Sequence, residues 1–187
     1  MTRLARALLS GAILLTVIDT ASADGLANAT VLVVRHAEKP ATGRGLSPTG
    51  EQRAQAYVGC FEKFHLDCLI AGADSPNSMR PRLTLEPLAA ALKLKIDSRF
   101  STKDVPGVVK YLRTEPHGRN VLICWRHGEL PDLLRALGAD PAHMIGSDTW
   151  PEDTFCWLIT LRYDADGKLI ESKRTNEQLL PGDAARK

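Results

Sequence analysis

The sequence predicts a three-layer α/β/α sandwich with a mostly parallel central sheet. Short β-branched runs such as Thr30 to Val34 and Val121 to Trp125 are apolar throughout, as strands buried on both faces must be. Longer segments with apolar residues at helical spacing alternate with them, and strand–helix alternation is the pattern of a parallel sheet covered by helices. Hydrophobic residues make up 44% of the chain and charged residues 25%, which excludes a disordered polymer.

Thr30 to Val34 is the first strand. Ser47 is an N-cap with Pro48 at the first helical position, and Ala54, Tyr57, Val58, Phe61 and Phe64 form one apolar face of the helix that follows. Cys68 to Ala71 reads as a second strand and Pro81 to Leu92 as a second helix. Leu94 to Ile96 reads as a short third strand, and Asp104 caps a helix running to Leu112 with Pro106 in its first turn. Val121 to Trp125 is a further strand, followed by a helix over Pro131 to Leu137 that Gly138 closes. Phe155 to Tyr163 and Leu169 to Ser172 read as strands around the Asp164-Ala165-Asp166-Gly167 turn, adding a hairpin at one edge. No internal repeat, low-complexity linker or second-domain boundary interrupts this order.

Residues 1–23 read as a separate unit. Arg3 and Arg6 make a basic start, Leu8 to Ile18 is apolar but short for a bilayer span, and Ala21-Ser22-Ala23 has the small-x-small form of a cleavage site. A secretory signal peptide is expected, leaving one domain over 24–187 in the periplasm or outside the cell, with no integral span after cleavage. Lys plus Arg is 24 and Asp plus Glu 22, so nothing electrostatic argues for nucleic acid or an acidic membrane surface. Export permits disulfides. Cys124 and Cys156 lie in apolar runs and read as buried thiols, while Cys60 and Cys68 flank a short connection and could pair. No cysteine or histidine spacing suggests a metal site, and no cofactor is called for. The neighbours His65, Asp67 and Cys68 are equally well explained by a helix-to-strand turn.

Open α/β sheets carry their sites at the carboxyl ends of strands. Here the first strand runs into Arg35-His36-Ala37-Glu38-Lys39, the second into Asp74-Ser75-Pro76 and then Arg80, and VLICW into Arg126-His127-Gly128-Glu129. A lone histidine or arginine after a strand is usually an ordinary loop residue. Two Arg-His pairs at equivalent strand ends, in a chain with 5 histidines, point to joint chemistry. A neutral imidazole can attack phosphorus, and arginine forks match the charged oxygens of the transferring group.

The segment Val33-Val34-Arg35-His36-Ala37-Glu38-Lys39 resembles the opening signature of the histidine phosphatase superfamily, which includes phosphoglycerate mutases and acid phosphatases. Leu46 to Ala54 resembles that family's leucine-threonine-x-x-glycine helix start. Ser75 to Glu86 resembles its serine-proline…arginine…threonine segment, and Arg126-His127-Gly128 its second histidine motif. Each motif is weak alone; their order along the chain carries the resemblance. It implies a phosphoglycerate mutase-like fold and a phosphomonoesterase working without a cofactor. It implies His36 as the nucleophile that becomes phosphorylated, Arg35 and Arg80 as phosphoryl ligands, and His127 as the fourth member of the pocket. Arg82 competes with Arg80, and the spacing to Thr84 favours Arg80. Ala37 stands where family members often have glycine.

The proton donor is less clear in the sequence. Many family members supply a glutamate after the second helix, but Asp97 to Asp104 contains none. Glu129, two residues past His127, is the first candidate. Asp104 is the second, although it also reads as a helix cap. Glu38 is the third, although it could simply pair with Lys39. With little chain beyond the core, a shallow, open pocket without a cap domain is expected. That suits a phosphorylated small molecule or a phosphate on a carrier such as a protein or lipopolysaccharide sugar. Two other readings stand beside it: a phosphate-binding protein without turnover on the same fold, and a phosphotransferase or mutase, which an uncapped site serves poorly.

Overall fold

The computed structural model describes residues 25–185; the expected signal peptide lies outside them. The elements follow in the order β1 (Thr30–Arg35), α1 (Pro48–Phe61), β2 (Cys68–Ala71), α2 (Arg80–Leu92), β3 (Ile96–Asp97) and α3 (Val105–Thr114). They continue with β4 (Asn120–Trp125), α4 (Leu130–Ala136), α5 (Pro141–Ile145), β5 (Trp157–Tyr163) and β6 (Leu169–Asn176). One six-stranded sheet has the order β3-β2-β4-β1-β5-β6. β3, β2, β4 and β1 are mutually parallel, and β5 and β6 add an antiparallel edge.

The period-2 alternation of a strand explains why Val31 to Val34 of β1 are all apolar. Leu32 and Val34 join Tyr57, Phe61, Leu85 and Leu88 on the α1–α2 side. Val31 and Val33 join Val108, Leu112, Leu130 and Leu133 on the α3–α4 side. α1 and α2 carry the chain outward from β1 to β3, and α3 to α5 carry it back to β4 and on to β5. The direction of winding therefore reverses between β1 and β4, which opens a crevice at their carboxyl ends.

Local chemistry fixes the boundaries. Ser47 Oγ accepts from Gly50 N at 3.1 Å, so the expected cap forms, and Asp104 accepts from Gly107 N at 3.0 Å at the start of α3. A side chain at Gly50 would place its Cβ 2.5 Å from the Glu38 carbonyl oxygen; glycine lets α1 begin against the segment that follows β1. β3 begins two residues later than expected, because Lys93 ends α2 in a left-handed conformation and Leu94 N is spent on Ala89 O. β6 extends to Asn176, beyond the expected Ser172, by pairing along all of β5. α5, absent from the sequence reading, is a five-residue helix capped by Asp140.

The pairing of Cys60 with Cys68, left open by the sequence, is not formed. Cys60 and Cys68 are separate thiols; Cys60 Sγ lies 3.4 Å from a Glu177 carboxylate oxygen. Asp67 accepts from the amides of Arg119 and Asn120, as a turn residue does. Among the described residues no group of three or more His, Cys, Asp or Glu is placed to hold a metal, and no helix is long and apolar enough to cross a membrane.

Candidate active site

The register Arg35↔Trp125 sets the ends of β1 and β4 side by side, and His36 N donates to Trp125 O at 3.0 Å. The two Arg-His pairs of the sequence thus leave adjacent strands at one edge. Arg80 reaches the same place from the first residue of α2. Thr84 ties that helix to the tip of β1: its Oγ accepts from Ala37 N at 2.9 Å and donates to the Arg80 carbonyl at 2.8 Å. Arg80, Thr84 and His36 are thereby parts of one hydrogen-bonded unit.

His36 is 2% exposed. Its Nδ1 lies 2.7 Å from the Ala37 carbonyl. A carbonyl only accepts, so Nδ1 carries the proton and Nε2 keeps its lone pair. Burial pushes the imidazole pKa down to about 3 against the hydrogen bond to Ala37, and the positive charges of Arg35, Arg80 and His127 push the same way. The ring is a neutral base at physiological pH, the form that attacks phosphorus.

Arg35 is fully buried, and backbone carbonyls hold its guanidinium. Its Nη1 donates to three carbonyls of the loop before β5, those of Pro151, Glu152 and Thr154, at 3.0 Å for the first and 3.3 Å for the last. Its guanidinium lies over the Phe155 ring, 4.0 Å from the centroid, and His36 meets the same ring from 6.5 Å. Nε and Nη2 are buried and unpaired. Burial lowers the Arg35 pKa to about 10.

Arg80 and His127 repeat this pattern. Arg80 Nε and His127 Nδ1 are buried without partners, and Arg80 Nη1 reaches the Gly43 carbonyl at 3.4 Å. Burial and then the charge of Arg126 lower the Arg80 pKa; burial and then Arg35 lower that of His127. Buried polar hydrogens are rarely left unpaired. Four unpaired nitrogens lie on the residues around a neutral imidazole, a set whose chemistry is matched by the oxygens of a multiply charged oxyanion.

Arg80 and Arg82 differ in their partners. Arg82 pairs with Asp74 at 2.8 Å and with Glu86, outside this cluster. Glu38 does not pair with Lys39. It binds the buried Arg53 at 2.7 Å, and Arg53 also binds Asp183 at 2.8 Å. Glu38 is therefore held by the fold, and Asp104 is the cap of α3. Glu129 stands at the start of α4 with one carboxylate oxygen buried and unpaired. The acid whose charge acts on both Arg35 and His127 is Glu152. The sequence reading missed Glu152, Thr84's bridging role and Phe155. Thr84 was signalled only as a spacing marker, and nothing local marks the other two.

The fold is the phosphoglycerate mutase-like one. Among solved structures, the chain is similar to the protein histidine phosphatase SixA complexed with tungstate, at 16% identity and TM-score 0.54, covering 77% of this chain and 96% of that one. It is similar to the alpha-ribazole phosphatase from Shigella flexneri, at 13% identity and TM-score 0.56, covering 79% and 96%. It is also similar to a phosphoserine phosphatase mutant from Entamoeba histolytica in complex with phosphoserine, at 12% identity and TM-score 0.55, covering 81% and 100%. No protein-family model matches the sequence, and no curated protein does.

Proposed function

We propose that this chain is an exported phosphomonoesterase that forms a covalent phosphohistidine on His36. The observation that carries the reading is the set of unpaired buried nitrogens on Arg35, Arg80 and His127 around an imidazole held in its neutral Nδ1–H tautomer. Nε2 attacks phosphorus. Arg35 and Arg80 bind the equatorial oxygens as charge gathers on them, and His127 supplies a further donor. Water then attacks the phosphoenzyme and returns Nε2 to its starting state. The fold's solved neighbours include phosphatases, which supports the class of reaction. Export rests on the signal-like residues 1–23 and directs the substrate search to phosphorylated small molecules and carriers outside the cytoplasm, such as a lipopolysaccharide sugar or a protein.

The test is hydrolysis of an aryl phosphate without added metal, coupled to trapping of radiolabel on the protein. The expected result is turnover and label in the wild type and neither in His36→Ala, with a loss on the order of 10⁴-fold or more. Full activity in His36→Ala would remove the nucleophile assignment. Tight phosphate binding with no label across many phosphomonoesters would make the chain a binding protein.

A further inference from the structure

Expelling an alkoxide from phosphorus needs a proton at the leaving oxygen. Most carboxylates near the site are committed elsewhere. Glu38 is bound to Arg53, Asp104 caps α3, Asp97 pairs with Arg99, and Asp148 pairs with Arg135. Glu152 makes no salt bridge among the described residues, and its side chain is exposed to incoming substrate. Its main chain is nevertheless fixed, because its carbonyl accepts from Arg35 Nη1, the guanidinium whose other nitrogens await an oxyanion. Glu152 and His127 are walls of one cleft of about 420 Å³, which Gly128 and residues 148–151 complete. Glu129 is not among its walls. Asp153 lines a different cavity, with Arg53 and Asp183.

We infer that Glu152 is the proton donor of this site and that the leaving alcohol occupies the cleft between His127–Gly128 and the 148–152 loop. The inference rests on the phosphatase reading above. Nε2 of His36 forms a bond to phosphorus while the bond from phosphorus to the leaving oxygen breaks. That oxygen keeps the electron pair and takes the proton from the Glu152 carboxyl. In the second half, the Glu152 carboxylate takes a proton from the attacking water, the N–P bond breaks, and its electron pair returns to Nε2. The cycle consumes one water and leaves alcohol and phosphate.

The cleft also bears on the leaving group. Besides His127 its ionisable walls are Asp148, paired with Arg135 at 2.8 Å, and Glu152, which carries the proton it donates. Polar walls without a free charge suit a leaving alcohol that bears further hydroxyls, so sugar and polyol phosphates are the expected substrates.

The test is a leaving-group series on the whole protein, from nitrophenyl phosphate to simple alkyl phosphates, read as kcat/KM for wild type, Glu152→Gln, Glu129→Gln and Asp153→Asn. Glutamine keeps the backbone contact to Arg35, so only the carboxyl is lost. For Glu152→Gln the expected loss is on the order of 10²-fold with alkyl phosphates and a few-fold with nitrophenyl phosphate, rising as the leaving group becomes more basic. Wild type should also favour glycerol phosphate over a simple alkyl phosphate of matched size, and the reverse preference would overturn the substrate class. A uniform loss across the series, or leaving-group dependence in Glu129→Gln or Asp153→Asn instead, overturns the assignment and leaves the phosphatase reading intact. A wild type that neither turns over any member nor labels His36 overturns both.

Discussion

Arg35 and Arg53 are equally hidden, at 0% and 3% exposure, yet they serve opposite ends. Arg53 projects from α1 into two carboxylates. Its Nε and Nη2 are taken by Glu38, and its Nη1 and Nη2 by Asp183. Burial alone would lower its pKa, but the bonds to Asp183 and Glu38 more than reverse this and raise it. Arg35 has backbone carbonyls for one nitrogen, nothing for the other two, and a depressed pKa. Burial therefore does not distinguish a structural cation from a ligand-binding one; the satisfaction of its donors does.

Exchanging each for methionine should separate the two roles most widely. Arg35→Met is expected to lower kcat/KM on the order of 10³-fold. Its stability should change by less than about 1 kcal/mol, since lost carbonyl bonds are offset by relief of an uncompensated charge. Added phosphate should raise the Tm of the wild type but not of this variant. Arg53→Met leaves Glu38 and Asp183 facing each other without a cation, and a loss of about 3–5 kcal/mol in urea unfolding is expected. If Arg35→Met unfolds the protein and Arg53→Met does not, the contrast is wrong.

His36 gives the comparison a pH axis. Its pKa is about 3 when folded against an ordinary 6.5, so between these values the unfolded chain binds the proton and the folded chain does not. Stability should be level above about pH 6.5 and fall by a few kcal/mol as the pH drops toward 3. His36→Gln should flatten that fall, as measured by urea unfolding at pH 7, 5 and 4. The smallest effect is expected on α2. Arg80→Ala should cost on the order of 10²-fold in kcat/KM, whereas Arg82→Ala, whose ion pairs are exposed, should stay within about twofold in activity and about 0.5 kcal/mol in stability.

Much of this arrangement is legible in the sequence because it is local. The β-branched runs of β1 and β4, the Ser47-Pro48 start of α1 and the residues that leave each strand all follow from neighbours along the chain. Parallel pairing then brings Arg35-His36 and Arg126-His127 together. The rim is not legible in this way. Glu152 meets Arg35 across 117 residues through a main-chain carbonyl that any residue type would supply. Glu38, a donor candidate in the sequence with Lys39 as its alternative partner, is instead bound by Arg53, in a network closed by Asp183 near the far end of the chain. Such contacts depend on how loops return over the sheet, which hydrophobic periodicity does not encode.

Thr84 has a mechanical consequence. A single hydroxyl grips both the amide after the nucleophile and the carbonyl of Arg80. The tip of β1 and the first turn of α2 therefore move as one piece, and thermal breathing that shifts the helix carries the imidazole with it. The distance between attacking nitrogen and arginine fork is set by a strut two hydrogen bonds long, so a loosened loop elsewhere can change which molecules enter the site without detuning the pair that meets them.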